Sequence, residues 1–297
     1  MHDCNSQAFQ DRTYISSDGL TLHLRDYDPG CEATDGRLPV VCLPGLTRNS
    51  RDFHQLALIL SQDPVTPRRV IALDYRGRGL SDWDDNKANY NLAVEARDVI
   101  EACAYMNIDR AAFIGTSRGG LILHLLAGMK SDLVAAAVLN DIGPIIEAAG
   151  LMKIRDDLNT ARLPRDMKEA AALLKQRQGA DFPALSDDDW AELAMAIYRD
   201  VDGQVVPDVD PAIARELVSI DFTKLVPNLW AQYENFAALP LMVIRGENSA
   251  LLTDNTLEAM AQQHPDLKIL RVPDQGHPPL MHQQTALQNI QVFLAAI

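Results

Sequence analysis

Ser117 stands at the centre of Gly115-Thr116-Ser117-Arg118-Gly119, a G-x-S-x-G pattern. The apolar run Ala111–Ile114 precedes it, and helix-like sequence with Leu121, Ile122, Leu125 and Leu126 follows. A serine on a sharp strand-to-helix turn needs small neighbours, because the turn brings strand and helix close together. Glycines two places before and after it relieve that crowding and leave the hydroxyl above the sheet. No G-x-x-x-x-G-K-[ST] occurs and the turn holds no lysine, which sets a phosphate-binding loop aside. A plain Gly-rich turn packing a helix on a sheet is the competing interpretation.

An alcohol attacks a carbonyl at neutral pH only if a base removes its proton. Of seven histidines, His277 is placed for this task. It lies in Asp274-Gln275-Gly276-His277-Pro278-Pro279, directly after the last strand-like run, on a loop expected at the same sheet edge as Ser117. His124 falls in the apolar helix after the serine and reads as a core residue, and His23 belongs to an amino-terminal hairpin. His2, His54, His264 and His282 are expected at the surface. The developing oxyanion needs donors worth about 3 kcal/mol each. The backbone N–H of Arg118 is one, and that of Leu46, in Pro44-Gly45-Leu46-Thr47, is the second.

The elements that must hold these residues alternate along the chain. Thr13–Ser16 and Leu20–Tyr27 flank the turn Ser17-Asp18-Gly19 and predict a hairpin. Strands are expected at Pro39–Leu43, Arg69–Leu73, Ala111–Ile114, Ala135–Leu139, Leu241–Ile244 and Leu267–Val272, with helices at Phe53–Leu60 and Asn91–Met106 between them. This rhythm indicates an α/β fold with a parallel sheet between helices. From Ile145 to about Phe236 it breaks. That stretch reads as helices at Asp166–Gln178, Ser186–Tyr198 and Pro211–Val218, inserted between two sheet strands. Ser186 before Asp187, Asp188 and Asp189 is a helix start.

In order, Leu43-Pro44-Gly45-Leu46, Asp74-Tyr75-Arg76-Gly77-Arg78-Gly79-Leu80-Ser81, Gly115–Gly119 and Gly276-His277-Pro278 resemble the motifs of the α/β-hydrolase fold superfamily. Pro44 stands where that family usually has histidine. The resemblance implies a mostly parallel eight-stranded sheet over residues 1–144 and 237–297, with a helical cap at 145–236. Serine at the elbow separates the chain from relatives with aspartate there and implies an acyl-enzyme route. A small-molecule carboxylic ester is the leading substrate class, with short-chain activity expected. Lactone opening and carbon–carbon bond hydrolysis are alternatives on the same machinery, cofactor-free haloperoxidase activity is a minor one, and a non-catalytic small-molecule receptor is an alternative of another class.

The family usually takes the acid that orients its histidine from the loop after the seventh strand, here Gly246 to Asp254. The G-x-x-D spacing lands on Ser249, and a longer G-x-x-S-D loop on Ala250; neither is acidic. Asp141, at the end of the sixth strand where some relatives place the acid, is one explanation. A vacant position at Ala250 is the second and stands level with it. Glu247 or Asp254 swinging in is the third. Asp141 could also simply brace the hinge where the insertion begins.

The 297 residues are 47% hydrophobic and 23% charged, ordinary for a globular enzyme. A net charge of −14 argues against nucleic acid or an anionic membrane as partner. Met1–Arg12 is polar, without the apolar core of a secretory signal, and a cytoplasmic location is expected. Cys4, Cys31, Cys42 and Cys103 lack metal-site or disulfide spacing, so neither a metal nor another cofactor is expected. Arg48 and Arg118 could meet an anionic substrate or be paired within the protein. Trp190, Tyr198, Trp230, Tyr233 and Phe236 are expected to form the core of the insertion rather than line its underside.

Overall fold

The computed structural model describes residues 8–30, 34, 36–159, 162–219 and 228–297. His2, Cys4 and Cys31 lie outside them. The strands are β1 (Gln10–Ile15), β2 (Thr21–Tyr27), β3 (Val40–Leu43), β4 (Val70–Leu73), β5 (Ala111–Thr116), β6 (Val134–Asn140), β7 (Tyr198–Val201), β8 (Gln204–Pro207), β9 (Leu241–Gly246) and β10 (Lys268–Val272). The helices are α1 (His54–Ser61), α2 (Leu92–Tyr105), α3 (Arg118–Met129), α4 (Ala148–Asn159), α5 (Met167–Gln178), α6 (Asp187–Ile197), α7 (Pro211–Ser219), α8 (Trp230–Tyr233), α9 (Asp254–Gln263) and α10 (Gln284–Ala295).

Eight strands form one sheet in the order β1-β2-β4-β3-β5-β6-β9-β10. Only the β1–β2 and β2–β4 pairs are antiparallel. The central strands are short and apolar throughout because both faces are covered. Alternate residues serve opposite sides: Val41, Leu43 and Phe113 join the core on one face, and Val40, Cys42, Ala112 and Ile114 the core on the other. Cys42 and Cys103 are buried as small apolar residues. Among the described residues no helix is long and apolar enough to cross a membrane.

The segment between β6 and β9 has a small core of its own, including Leu174, Phe182, Trp190, Ala194, Tyr198 and Val205. Helix α6 starts as its sequence dictates. The Asp189 N–H donates to Ser186 Oγ (3.2 Å), and the Ser186 N–H donates to the Asp189 carboxylate (2.8 Å). Such a cap is worth about 1 kcal/mol. Three features differ from the expected run of three helices. Helix α4 precedes them, the short α8 follows them, and β7 and β8 form an antiparallel hairpin. Its turn is Asp202-Gly203, both at positive φ (52° and 80°), the arrangement that a tight hairpin requires.

The aromatic residues divide. Trp190 and Tyr198 do pack inside the segment. Tyr233 and Phe236 are buried against the main sheet's core instead, with Trp230 beside them. Both rings contact the His124 ring, Phe236 edge-on at 5.1 Å. These aromatics close the gap behind α3 because the chain has already returned to the sheet at this point.

Candidate active site

The parallel register brings five loops to one edge. Leu43 pairs with Gly115, Thr116 with Asn140, Asn140 with Ile244, and Gly246 with Val272. The chain therefore leaves β3, β5, β6, β9 and β10 at nearly the same height, which is where an open α/β sheet presents its ligands.

After β5 the turn is as tight as the glycines suggest. A methyl on Gly119 would lie 2.1 Å from the Leu43 carbonyl oxygen, and one on Gly115 would lie 2.7 Å from the Gly119 backbone. Neither position accepts a side chain. Ser117 sits at φ 51°, ψ −115°, immediately before α3. Positive φ in a residue other than glycine costs about 1–3 kcal/mol and persists only where neighbours enforce it. One such restraint is the Ser117 N–H, which donates to the Asn140 carbonyl (3.0 Å).

His277 reaches this serine across 160 residues of sequence. Its Nε2 lies 2.9 Å from Ser117 Oγ, and its Nδ1 lies 2.7 Å from Asp141 Oδ2. The ring is mostly buried, at 13% side-chain exposure, and the Asp141 carboxylate is fully buried. A carboxylate only accepts, so the Nδ1 proton faces Asp141 and Nε2 is left to accept from the serine hydroxyl. Asp141 takes two further bonds, from the Gly246 N–H (3.0 Å) and from Ser249 Oγ–H (2.5 Å). Its own N–H donates to the Ile244 carbonyl (2.7 Å), with φ at 55°.

The remaining acid candidates are elsewhere. Ala250 is exposed and lines the cavity mouth, while Glu247 is exposed. Asp254 pairs with Arg271 (2.8 Å). Ser249, at the position where an acid would be usual, contributes its hydroxyl to Asp141 instead.

Leu46 and Arg118, the two residues expected to face the oxyanion, are braced against each other. A methyl on Gly45 would lie 3.9 Å from Ser117 Cβ, so this loop runs beside the serine. Arg78 Nε donates to the Leu46 carbonyl (2.9 Å), and Arg78 Nη1 donates to Glu95 (2.7 Å). The other oxygen of Glu95 accepts from Arg118 Nε (2.6 Å). One buried carboxylate thus ties the Leu46 peptide to the first residue of α3. Burial alone would raise the Glu95 pKa, but Arg78 and Arg118 hold it below the ordinary carboxylate value. Among the described residues no acceptor meets the Leu46 N–H, and none meets the Arg118 N–H at the start of α3. The Arg118 side chain is therefore held within the protein. Arg48 is too, on Asp52 (2.5 Å).

Glu95 escaped the sequence reading, although a signal existed: it falls on the apolar stripe of α2, four residues before Val99. Three histidines differ from their expected surface positions. His264 is buried, with Nε2 at 2.9 Å from the Leu239 carbonyl and 3.1 Å from that of Phe236. His54 is half-buried, its Nδ1 2.9 Å from the Tyr27 hydroxyl, and His282 is half-buried at the cavity wall. His23 sits in its hairpin between Asp74 (2.8 Å) and Asp11 (3.0 Å).

A cavity of about 1170 Å³ opens above Ser117 and His277. The sheet edge supplies its floor, with Leu46, Leu121 and Ile142, and the segment between β6 and β9 supplies its walls, among them Ile154, Leu174 and Leu193.

The profile of the alpha/beta hydrolase fold family matches residues 39–283. This chain belongs to that family and is a hydrolase. It is 31% identical over 270 residues to a 3-hydroxybutyrate-oligomer hydrolase of Cupriavidus necator, covering 87% of this chain and 88% of that protein. A 2-(acetamidomethylene)succinate hydrolase of Mesorhizobium japonicum is 29% identical over 234 residues, covering 78% and 79%. Among solved structures, an alpha/beta hydrolase from Novosphingobium aromaticivorans is 33% identical, with a TM-score of 0.87 over 99% of this chain and 100% of that one.

Proposed function

We propose that the chain cleaves a carboxylic ester of a small molecule through an acyl-enzyme intermediate. The observation that carries this reading is the position of His277 between Ser117 and Asp141, at 2.9 and 2.7 Å. Ser117 Oγ attacks the ester carbonyl while His277 Nε2 takes its proton. The N–H groups of Leu46 and Arg118 hold the negative oxygen of the tetrahedral intermediate. As the intermediate collapses, the C–O bond to the alcohol breaks and His277 returns the proton to the departing oxygen. A water then repeats the sequence on the acyl-enzyme, giving the acid and restoring the serine. Asp141 holds the imidazole tautomer and stabilises the imidazolium in both halves.

In this reading residues 1–144 and 237–297 are the catalytic core and 145–236 the cap, whose last residues, Trp230 to Phe236, pack back onto that core. The cavity is larger than the roughly 300–1,000 Å³ common for small-ligand sites, which leaves room for more than a short acyl chain. The name of the Cupriavidus relative, a hydrolase of hydroxybutyrate oligomers, supports an ester substrate over a lactone or a diketone. The free thiols Cys42 and Cys103 fit a reducing, cytoplasmic compartment.

The test is covalent labelling. A fluorophosphonate probe is expected to modify the chain once, at Ser117 by peptide mass spectrometry, and to leave Ser117→Ala unmodified. An unlabelled chain that still binds a small molecule tightly would favour a receptor on this fold.

A further inference from the structure

Among the described residues, Arg177 is a half-buried cation at the cavity wall that the protein does not neutralise. Arg177 lies in the last turn of α5 and lines the same cavity as Ser117. Five other basic residues along the wall are paired: Arg48 with Asp52, Arg51 with Asp208, Arg118 with Glu95, Lys153 with Asp181, and Arg199 with Asp208, while Arg215, without an ion pair among the described residues, is exposed to solvent. Arg177 has only neutral acceptors among the described residues. They are the Leu173 carbonyl (3.3 Å), the Asp157 carbonyl (3.4 Å) and the Tyr198 hydroxyl (3.4 Å), all near the outer limit of a hydrogen bond. The Asp157 carboxylate beside it is turned to Gln178 Nε2 (3.4 Å). A guanidinium carries five donors in a planar fork matched to a carboxylate; here three of them make only long contacts and two have no acceptor among the described residues. In a chain of net charge −14, an unpaired cation retained at an apolar cavity wall calls for an anion from outside.

We infer that Arg177 binds a carboxylate of the substrate, so that the ester cleaved at Ser117 is an acidic one. The carboxylate belongs either to the acyl part, as in the half-ester of a dicarboxylic acid, or to the alcohol part, as in an acylated hydroxy acid. This inference rests on the ester-hydrolase reading and adds the substrate's charge to it. The competing role for Arg177 is structural: a cation near a helix C-terminus favours the helix dipole, and Leu173 is its partner one turn back.

Two substrate pairs separate these roles and the two sources of the carboxylate. On the acyl side, the p-nitrophenyl half-ester of adipic acid is compared with p-nitrophenyl hexanoate. On the alcohol side, an O-acetyl hydroxybutyrate is compared with its primary amide. The native enzyme is expected to favour the acidic member of at least one pair by about 10-fold or more in kcat/KM, mainly through KM. Arg177→Gln is expected to abolish that ratio, and Arg177→Lys to recover part of it. A native enzyme indifferent to the charge in both pairs overturns the proposal without any variant. So does a preference that survives Arg177→Gln, whereas a purely structural arginine would shift Tm and leave the ratio alone. Titration of adipate into Ser117→Ala needs no turnover. Binding there that is lost on adding Arg177→Gln supports the anion site even if the esterase reading fails, and no binding counts against it.

Discussion

The loops after β6 and β9 leave the sheet side by side, since Asn140 and Ile244 are register partners. The first delivers Asp141 to His277; the second delivers Ser249 and Ala250, which carry no charge. Ser249 Oγ–H nonetheless reaches Asp141 at 2.5 Å, and Gly246, at the end of β9, donates its N–H to the same carboxylate. The two loops therefore converge on one point in space although about a hundred residues separate them in sequence. A histidine waiting at that point can be oriented from either side. What it requires is a buried acceptor facing Nδ1, not an aspartate at a fixed place in the chain.

This comparison can be broken at three places. The largest effect belongs to Asp141. Asparagine there keeps the size and tolerates the positive φ, but it presents a neutral amide to the imidazole, and kcat/KM for p-nitrophenyl acetate is expected to fall by about 10⁴-fold. An intermediate effect is expected at Ser249. Removing its hydroxyl in Ser249→Ala takes one donor from a buried carboxylate, which lowers the same kcat/KM by about 10-fold. The smallest is expected at Ala250. An aspartate at this exposed position competes with an acid already in place, so Ala250→Asp leaves kcat/KM within about twofold. A rise of several orders of magnitude would instead mark Ala250 as a true vacancy.

The sheet was legible because parallel strands buried on both faces appear as short apolar runs between amphipathic helices. Ser117 and His277 were legible because the turns that hold them need glycine at fixed offsets. The choice between Asp141 and the β9 loop was not, since adjacency of strands is a property of topology and no linear spacing encodes it. The brace from Leu46 through Arg78 and Glu95 to Arg118 was hidden for a similar reason: it joins four segments. The hairpin β7–β8 was missed although Asp202-Gly203 is a hairpin turn pair. Its strands are only four residues long and mix Arg199, Asp200 and Gln204 with apolar residues, so no buried-strand pattern forms.

The proposed mechanism depends above all on Asp141 acting through His277. Its most direct test is kcat/KM for one neutral ester at neutral pH, measured on Asp141→Asn and the native enzyme after confirming that both melt at the same temperature. The prediction is a rate lower by about four orders of magnitude with the fold intact. A variant that keeps the native rate would mean that the imidazole is oriented by another group, and the triad described here would be wrong.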